Sequence, residues 1–180
     1  MKTIYLFLFS IISVGHCYSQ TSGEYRTVSD GGWNNLSIWQ IYDGTSWNPA
    51  TVEPSYLSHG ISIYNNVWAS GDTIDEVVVH PNATLSYMSP GYVIHDGIGT
   101  DLIVNGTLNG PNMDNQGQIE INGKLILRSS GIFRGIGSTI VNGITEIEGT
   151  VVNSGPFVNT SITMNDTVHF SAKEFRSHPS

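Results

Sequence analysis

Between Val77 and Phe170 an apolar/polar alternation keeps returning, each time with an Asn-Gly or a close variant set inside it. The copies read VVVHPNATLSY (77–87), LIVNGTLN (102–109), IEINGKLILR (119–128), IVNGITEIEGTVVN (140–153) and ITMNDTVHF (162–170). Their small-residue positions are Ala83, Gly106, Gly123, Gly143 and Asp166, separated by 23, 17, 20 and 23 residues. A loose unit of that length matches one coil of a solenoid. This pattern constrains the fold far more than any single residue constrains a reaction.

Strand, Asn-Gly, strand is the signature of a two-residue hairpin, and side-chain parity tests it. Folded back at Asn122-Gly123, the chain would set Ile121 opposite Lys124 and Leu125 opposite Glu120, a charge on an apolar face in each pair. Read straight through, Ile119, Ile121, Gly123, Leu125 and Leu127 share one face, and Glu120, Asn122 and Lys124 share the other. The same parity places Leu102, Val104, Gly106 and Leu108 inward, then Val77, Val79, Pro81, Ala83, Leu85 and Tyr87, and also Val141, Gly143, Thr145, Ile147, Gly149 and Val151. The last copy gives Ile162, Met164, Asp166, Val168 and Phe170.

An inward small residue in a strand marks a bend or a close backbone approach. A coil needs such a bend where it passes from one short parallel sheet to the next, and Asn beside the bend can stack on Asn of neighbouring coils. The pattern therefore predicts an all-β chain folded as a right-handed parallel β-helix, with Asn105, Asn122 and Asn142 aligned outside. An antiparallel β-sandwich is the alternative. Gly and Pro supply 27 of 180 residues, about 15%, below the ~25–30% that marks low complexity.

The first nineteen residues read as a secretory signal peptide: Lys2, then an apolar run from Ile4 to Val14, then small and polar residues before cleavage between Ser19 and Gln20. The run is too short to span a membrane. A competing reading makes Cys17 a lipoprotein anchor, although His16 precedes it where such sites want Gly or Ala. Cleavage after Ser19 discards the only cysteine, leaving neither disulfide nor thiol chemistry. It also leaves six basic residues against fifteen acidic ones, a formal charge of −9. No basic stripe exists for nucleic acid, and a tightly held acidic polysaccharide would want more Arg and Lys.

Residues 20–60 read as an aromatic N-terminal cap, residues 61–170 as solenoid coils, and residues 171–180 as a polar, unpatterned tail. Trp33, Trp39, Trp47 and Trp68 all fall between Gly23 and Trp68, among turn formers such as Asp43-Gly44. Aromatics there suit closure of the open end of the first coil. Trp33, Trp39 and Trp47 are also the candidates for stacking on sugar rings.

Trp33 and Trp39 six residues apart, then Trp47, Pro49 and Pro54, an Ile-Ser-Ile run, Gly71-Asp72-Thr73 and the Ala-Thr-Leu of 83–85 form a recognisable opening. It resembles secreted Bacteroidetes surface proteins with a short parallel β-helix. The resemblance implies a scaffold, often exported by type IX secretion with a C-terminal sorting domain. Nothing after Phe170 looks like that domain.

No catalytic constellation stands out. The nearest candidates are Asp72, Asp75 and Glu76, just before the first clear strand, and His95-Asp96 with Asp101. Sugar-cleaving sites need grouped carboxylates on an exposed surface, whereas Asp-rich loops are commonly solvated turns. His80, His95 and Asp96 lack metal-ligand spacing, and no cofactor is expected. The expectation is a secreted structural or adhesive module without catalysis, whose partners are extracellular glycans or other surface proteins. A pectin-lyase-like polysaccharide-degrading or carbohydrate-binding β-helix is the alternative.

Overall fold

In a computed structural model, the structure describes residues 20–69, 71–88, 91–148, 150–159, 162–164 and 175–177. The signal-peptide segment with Cys17 and Ser19, and Gly149, Asp166, Val168 and Phe170, lie outside the described residues.

The chain winds into a β-solenoid with three parallel faces. The first face stacks Tyr25–Thr27, Ile61–Ile63, Val77–Val79, Leu102–Val104, Gln118–Ile121, Ser138–Val141, Phe157–Asn159 and Phe175–Ser177. The second face starts at Gly31–Gly32 and continues through Asn66–Ala69, Thr84–Tyr87 and the opening halves of Thr107–Asn115 and Lys124–Gly135. It ends with Ile144–Ile147 and Ile162–Met164. Thr73–Ile74, Tyr92–Ile94, the closing halves of the same two long strands and Thr150–Asn153 make the third. Each pair of adjacent coils is parallel, which sets the sandwich alternative aside.

Register decides the hairpin question as well. Ile121 pairs with Val104 on one side and Val141 on the other, not with Lys124. Leu102, Val104, Gly106 and Leu108 are buried while Asn105 is exposed, and the alternation continues at 119–127 and 141–147 with Gly123 and Gly143 half-buried. The chain kinks at each Asn-Gly, so two short strands meet at a corner without losing alternation. Inside, aliphatic columns such as Ile63, Val79, Val104, Ile121 and Val141 are fully buried. Each such side chain contributes about 1.5–3 kcal/mol relative to exposure.

Coil lengths are uneven. From Ile61 the equivalent positions are Val77, Leu102, Ile119, Thr139 and Phe157, steps of 16, 25, 17, 20 and 18 residues. Three expectations need correction. Pro81 is exposed, not inward: residues 80–83 form a turn closed by Ala83 N–H donating to the His80 carbonyl, with Asn82 at φ +69°. The two extra residues in that corner leave the parity on either side unchanged. In the last copy, Ile162 pairs with Thr145, 17 residues earlier, so ITM belongs to the second face rather than the first. Phe175–Ser177, expected as tail, pairs in register with Phe157–Asn159.

At the N-terminal end the first face is extended by two antiparallel strands, Trp39–Tyr42 against Tyr25–Thr27 and Trp47–Pro49 against Trp39–Tyr42. The Asp43-Gly44 turn joins them. Its Asp43 carboxylate accepts hydrogen bonds from Thr45, Ser46 and Asn48, which hold its pKa far below the usual range. Pro49, which lacks an N–H, suits the sheet's outermost strand.

Candidate functional site

The outer corner ladder begins with the residue following each inward pair on the first face. In register these are Tyr64, His80, Asn105, Asn122 and Asn142. Asn142 Nδ2 donates to Asn122 Oδ1 at 2.9 Å, and Asn122 Nδ2 donates to Asn105 Oδ1 at 3.1 Å. The amide stack expected from the sequence is therefore present. Above it, the Tyr64 and His80 rings stack with centroids 3.9 Å apart and planes 14° from parallel. Burial pushes the His80 imidazole below its usual pKa, and its Nε2 lies 3.3 Å from Ser62 Oγ.

This ladder borders an open groove of about 660 Å³ on the outside of the first face. Val78 and Ile103 form its floor, and Glu24, Glu76 and Glu120 bring carboxylates to it. Trp47, carried by the antiparallel extension, closes one end beneath Arg26, whose guanidinium carbon lies 4.3 Å from the ring centroid. Arg26 also donates from Nε and Nη2 to Gln40 Oε1 at 2.9 and 2.7 Å. Glu76 sits at φ +50°, a left-handed conformation uncommon for a non-glycine residue, and one of its oxygens accepts from Gly60 N–H at 3.1 Å.

The three sugar-stacking candidates separate. Trp33 and Trp39 are 2% and 1% exposed, packed edge to face at 5.1 Å. Trp33 Nε1 donates to the Pro54 carbonyl and Trp39 Nε1 to the Trp33 carbonyl. Neither offers a face to a ligand; they are core. Trp47 lines the large groove, whereas buried Trp33 only edges the smaller hollow beside Trp68. Tyr64, Arg26, Glu24 and Glu120 escaped sequence reasoning, and His80 was weighed there only as a metal ligand, because their juxtaposition follows from a register that unequal coils conceal.

The acidic candidates separate too. Asp75 and Asp101, 8% and 0% exposed, are brought together in the corner between the third and first faces, within hydrogen-bonding reach of each other. Asp101 accepts from Gly97 N–H at 2.9 Å and Gln118 N–H at 2.5 Å, one on each oxygen. Asp75 accepts from Glu76 N–H at 2.8 Å, and His95 Nδ1 is 3.4 Å from its other oxygen. Tyr56 covers His95, with ring centroids 5.1 Å apart. Gly97 and Gly117 carry no Cβ because one would overlap the Asp75 and Asp101 carboxylates respectively. Asp72 stands instead beside Trp68 and Met88 in a smaller surface hollow, and Asp96 is exposed. Glu76 points to the groove, so the 72–76 cluster does not act as one.

Burial and the facing Asp101 carboxyl raise the Asp75 pKa above its ordinary value. A protonated Asp75 donates to Asp101, whereas an ionised one faces a second carboxylate. Stability from this pair is thus fully present below the ordinary Asp pKa and falls as pH rises through the raised value. Asp75→Asn mimics the protonated acid and is expected to raise the melting temperature at neutral pH and flatten this dependence. Asp101→Asn is expected to destabilise by about 1–3 kcal/mol, because an amide has one acceptor oxygen for two part-buried backbone N–H donors. Thermal denaturation of both variants between pH 3 and 8 checks the opposite signs.

Among the described residues no three His, Cys, Asp or Glu side chains gather as a metal site would require, and no helix is long and apolar enough to cross a membrane. Comparison with known proteins returns no matching family, no similar curated protein and no similar solved structure.

Proposed function

We propose that the chain is a secreted or cell-surface β-solenoid module with a structural or adhesive role, working through its outer surface rather than through bond cleavage. The observation that carries this reading is the fate of the paired carboxylates. The one pair of acidic candidates that converges, Asp75 and Asp101, is buried in a corner, with three of its four oxygens accepting from backbone N–H groups and the fourth facing His95. A glycosidase needs two carboxyl groups flanking a bond in an accessible cleft. The ladder of Asn105, Asn122 and Asn142 supports a rigid display surface, with its side chains held by their neighbours on successive coils.

Export through a signal peptide cleaved before Gln20, in the manner of the Bacteroidetes proteins that the opening resembles, belongs to the same proposal. Type IX secretion is the route that resemblance suggests. Cell fractionation with N-terminal sequencing tests it: the expected product begins at Gln20 and lies outside the cytoplasm, while an uncleaved cytoplasmic chain would refute it.

A polysaccharide-degrading reading draws on Glu76 and Glu120 in the groove. Reducing-end assays on plant and algal polysaccharides separate the two. No release is expected; turnover lost in Glu76→Gln would establish the enzyme instead.

A further inference from the structure

We infer that the groove on the first face binds a linear glycan bearing free amino groups, of the glucosamine type. The inference deepens the surface-module reading and rests on it for biological context, but binding is measurable wherever the chain is located.

The groove offers what an amino sugar's two chemistries require. A sugar ring presents a flat patch of C–H groups edged by hydroxyls, and it packs on an aromatic face. Tyr64 is 53% exposed. Its ring is held by stacking on His80, so a ligand packing on the exposed part of the ring meets a side chain that is already ordered. Asn105 and Asn122 continue along the same rim, where primary amides pair with hydroxyls as donors and acceptors. The aliphatic floor of Val78 and Ile103 suits ring C–H groups rather than ions.

Charge selects the amino form. Glu24, Glu76 and Glu120 line the groove, and among the described residues none is salt-bridged to Lys, Arg or His. Arg26, the one Lys or Arg lining the groove, is committed to Gln40 and to the Trp47 ring, and the α-amino group that cleavage would leave on Gln20 adds one further positive charge at most against three carboxylates. His80 is held toward its neutral form. The balance is anionic, so it favours ammonium groups and opposes uronates. Glu76, in the bend before Val77–Val79, and Glu120, in Gln118–Ile121, stand two coils apart and two residues out of register, about 12 Å between Cα atoms at ordinary strand spacing and rise. An extended chain with a repeated charge can engage both, whereas a compact ion would meet one.

Calorimetric titration of the chain with a β-linked glucosamine oligomer tests this, with the N-acetylated oligomer, an oligogalacturonate and oligolysine as parallel arms. Saturable binding of the glucosamine oligomer is expected, weakened about tenfold or more by N-acetylation and by Tyr64→Ala, and weakened by added salt. The double variant Glu76→Gln/Glu120→Gln is expected to lose the preference over the N-acetylated form. Circular dichroism and melting temperature, unchanged in these surface variants, show that the fold survives. No binding of the glucosamine oligomer, equal or tighter binding of oligogalacturonate, or insensitivity to Tyr64→Ala overturns the inference. Oligolysine binding as tightly as the sugar would also overturn it, because charge alone would then suffice. Failure of all arms with a chain correctly exported defeats the groove assignment and leaves the scaffold reading standing.

Discussion

Gly123→Ala is expected to destabilise the protein by about 3 kcal/mol or more, the upper range for overpacking, because its single methyl has nowhere to go. A Cβ on Gly123 would lie deep inside the van der Waals radius of the Gly106 carbonyl oxygen, and close to the Asn105 carbonyl as well. These are backbone atoms of the coil beneath, so no side-chain rotation relieves the overlap. Relief requires the coils to part, which breaks the corner hydrogen bonds from Gly123 N–H to Val104 and from Lys124 N–H to Gly106. Gly99→Ala is the matched control. It has open space around its Cβ but a left-handed φ of +98°, so it carries only backbone strain of roughly 1–2 kcal/mol. Urea unfolding of the two variants separates coil stacking from backbone conformation. Equal and small losses would mean that the Asn-Gly corners are not packed against one another.

Trp33→Ala is expected to cost about 3–5 kcal/mol, the range for removing a fully buried large aromatic. Its ring contacts Trp39 at 5.1 Å and Tyr92 at 6.1 Å, both edge to face, and so joins the N-terminal segment to the core of the next coils. Its indole N–H also anchors the Pro54 carbonyl, so the variant leaves a buried acceptor unpaired. Trp47→Ala, a half-buried residue at the groove end, is expected to cost far less and to act on ligand binding instead. The same residue type thus serves two ends. Chemical denaturation distinguishes them, and a Trp33→Ala variant as stable as the parent would dissolve the cap.

Period-two alternation across the Asn-Gly steps revealed the stacking, because a hairpin would have put Lys124 and Glu120 on apolar faces. The amide ladder followed from it, since Asn105, Asn122 and Asn142 occupy one register position. Two features were hidden for physical reasons. The Asp75–Asp101 contact forms across a coil lengthened by the 95–101 loop, and no local pattern encodes the length of that excursion. The groove depends on the antiparallel strands Trp39–Tyr42 and Trp47–Pro49 carrying Trp47 to the edge of a face built from other coils. Phe175–Ser177 is too short to show a period, and only its register with Phe157–Asn159 identifies it.

Paired cysteines at Asn105 and Asn122, in a chain lacking Cys17, give the most direct test. In stacked coils these exposed corner residues are direct neighbours on parallel strands, with Cα atoms about 4.8 Å apart, inside the range a disulfide spans. Mild oxidation is expected to give a monomeric, intramolecular crosslink in high yield, with the melting temperature kept or raised. Two free thiols after oxidation, or crosslinking only between molecules, would contradict the stacked-coil ladder on which the account rests.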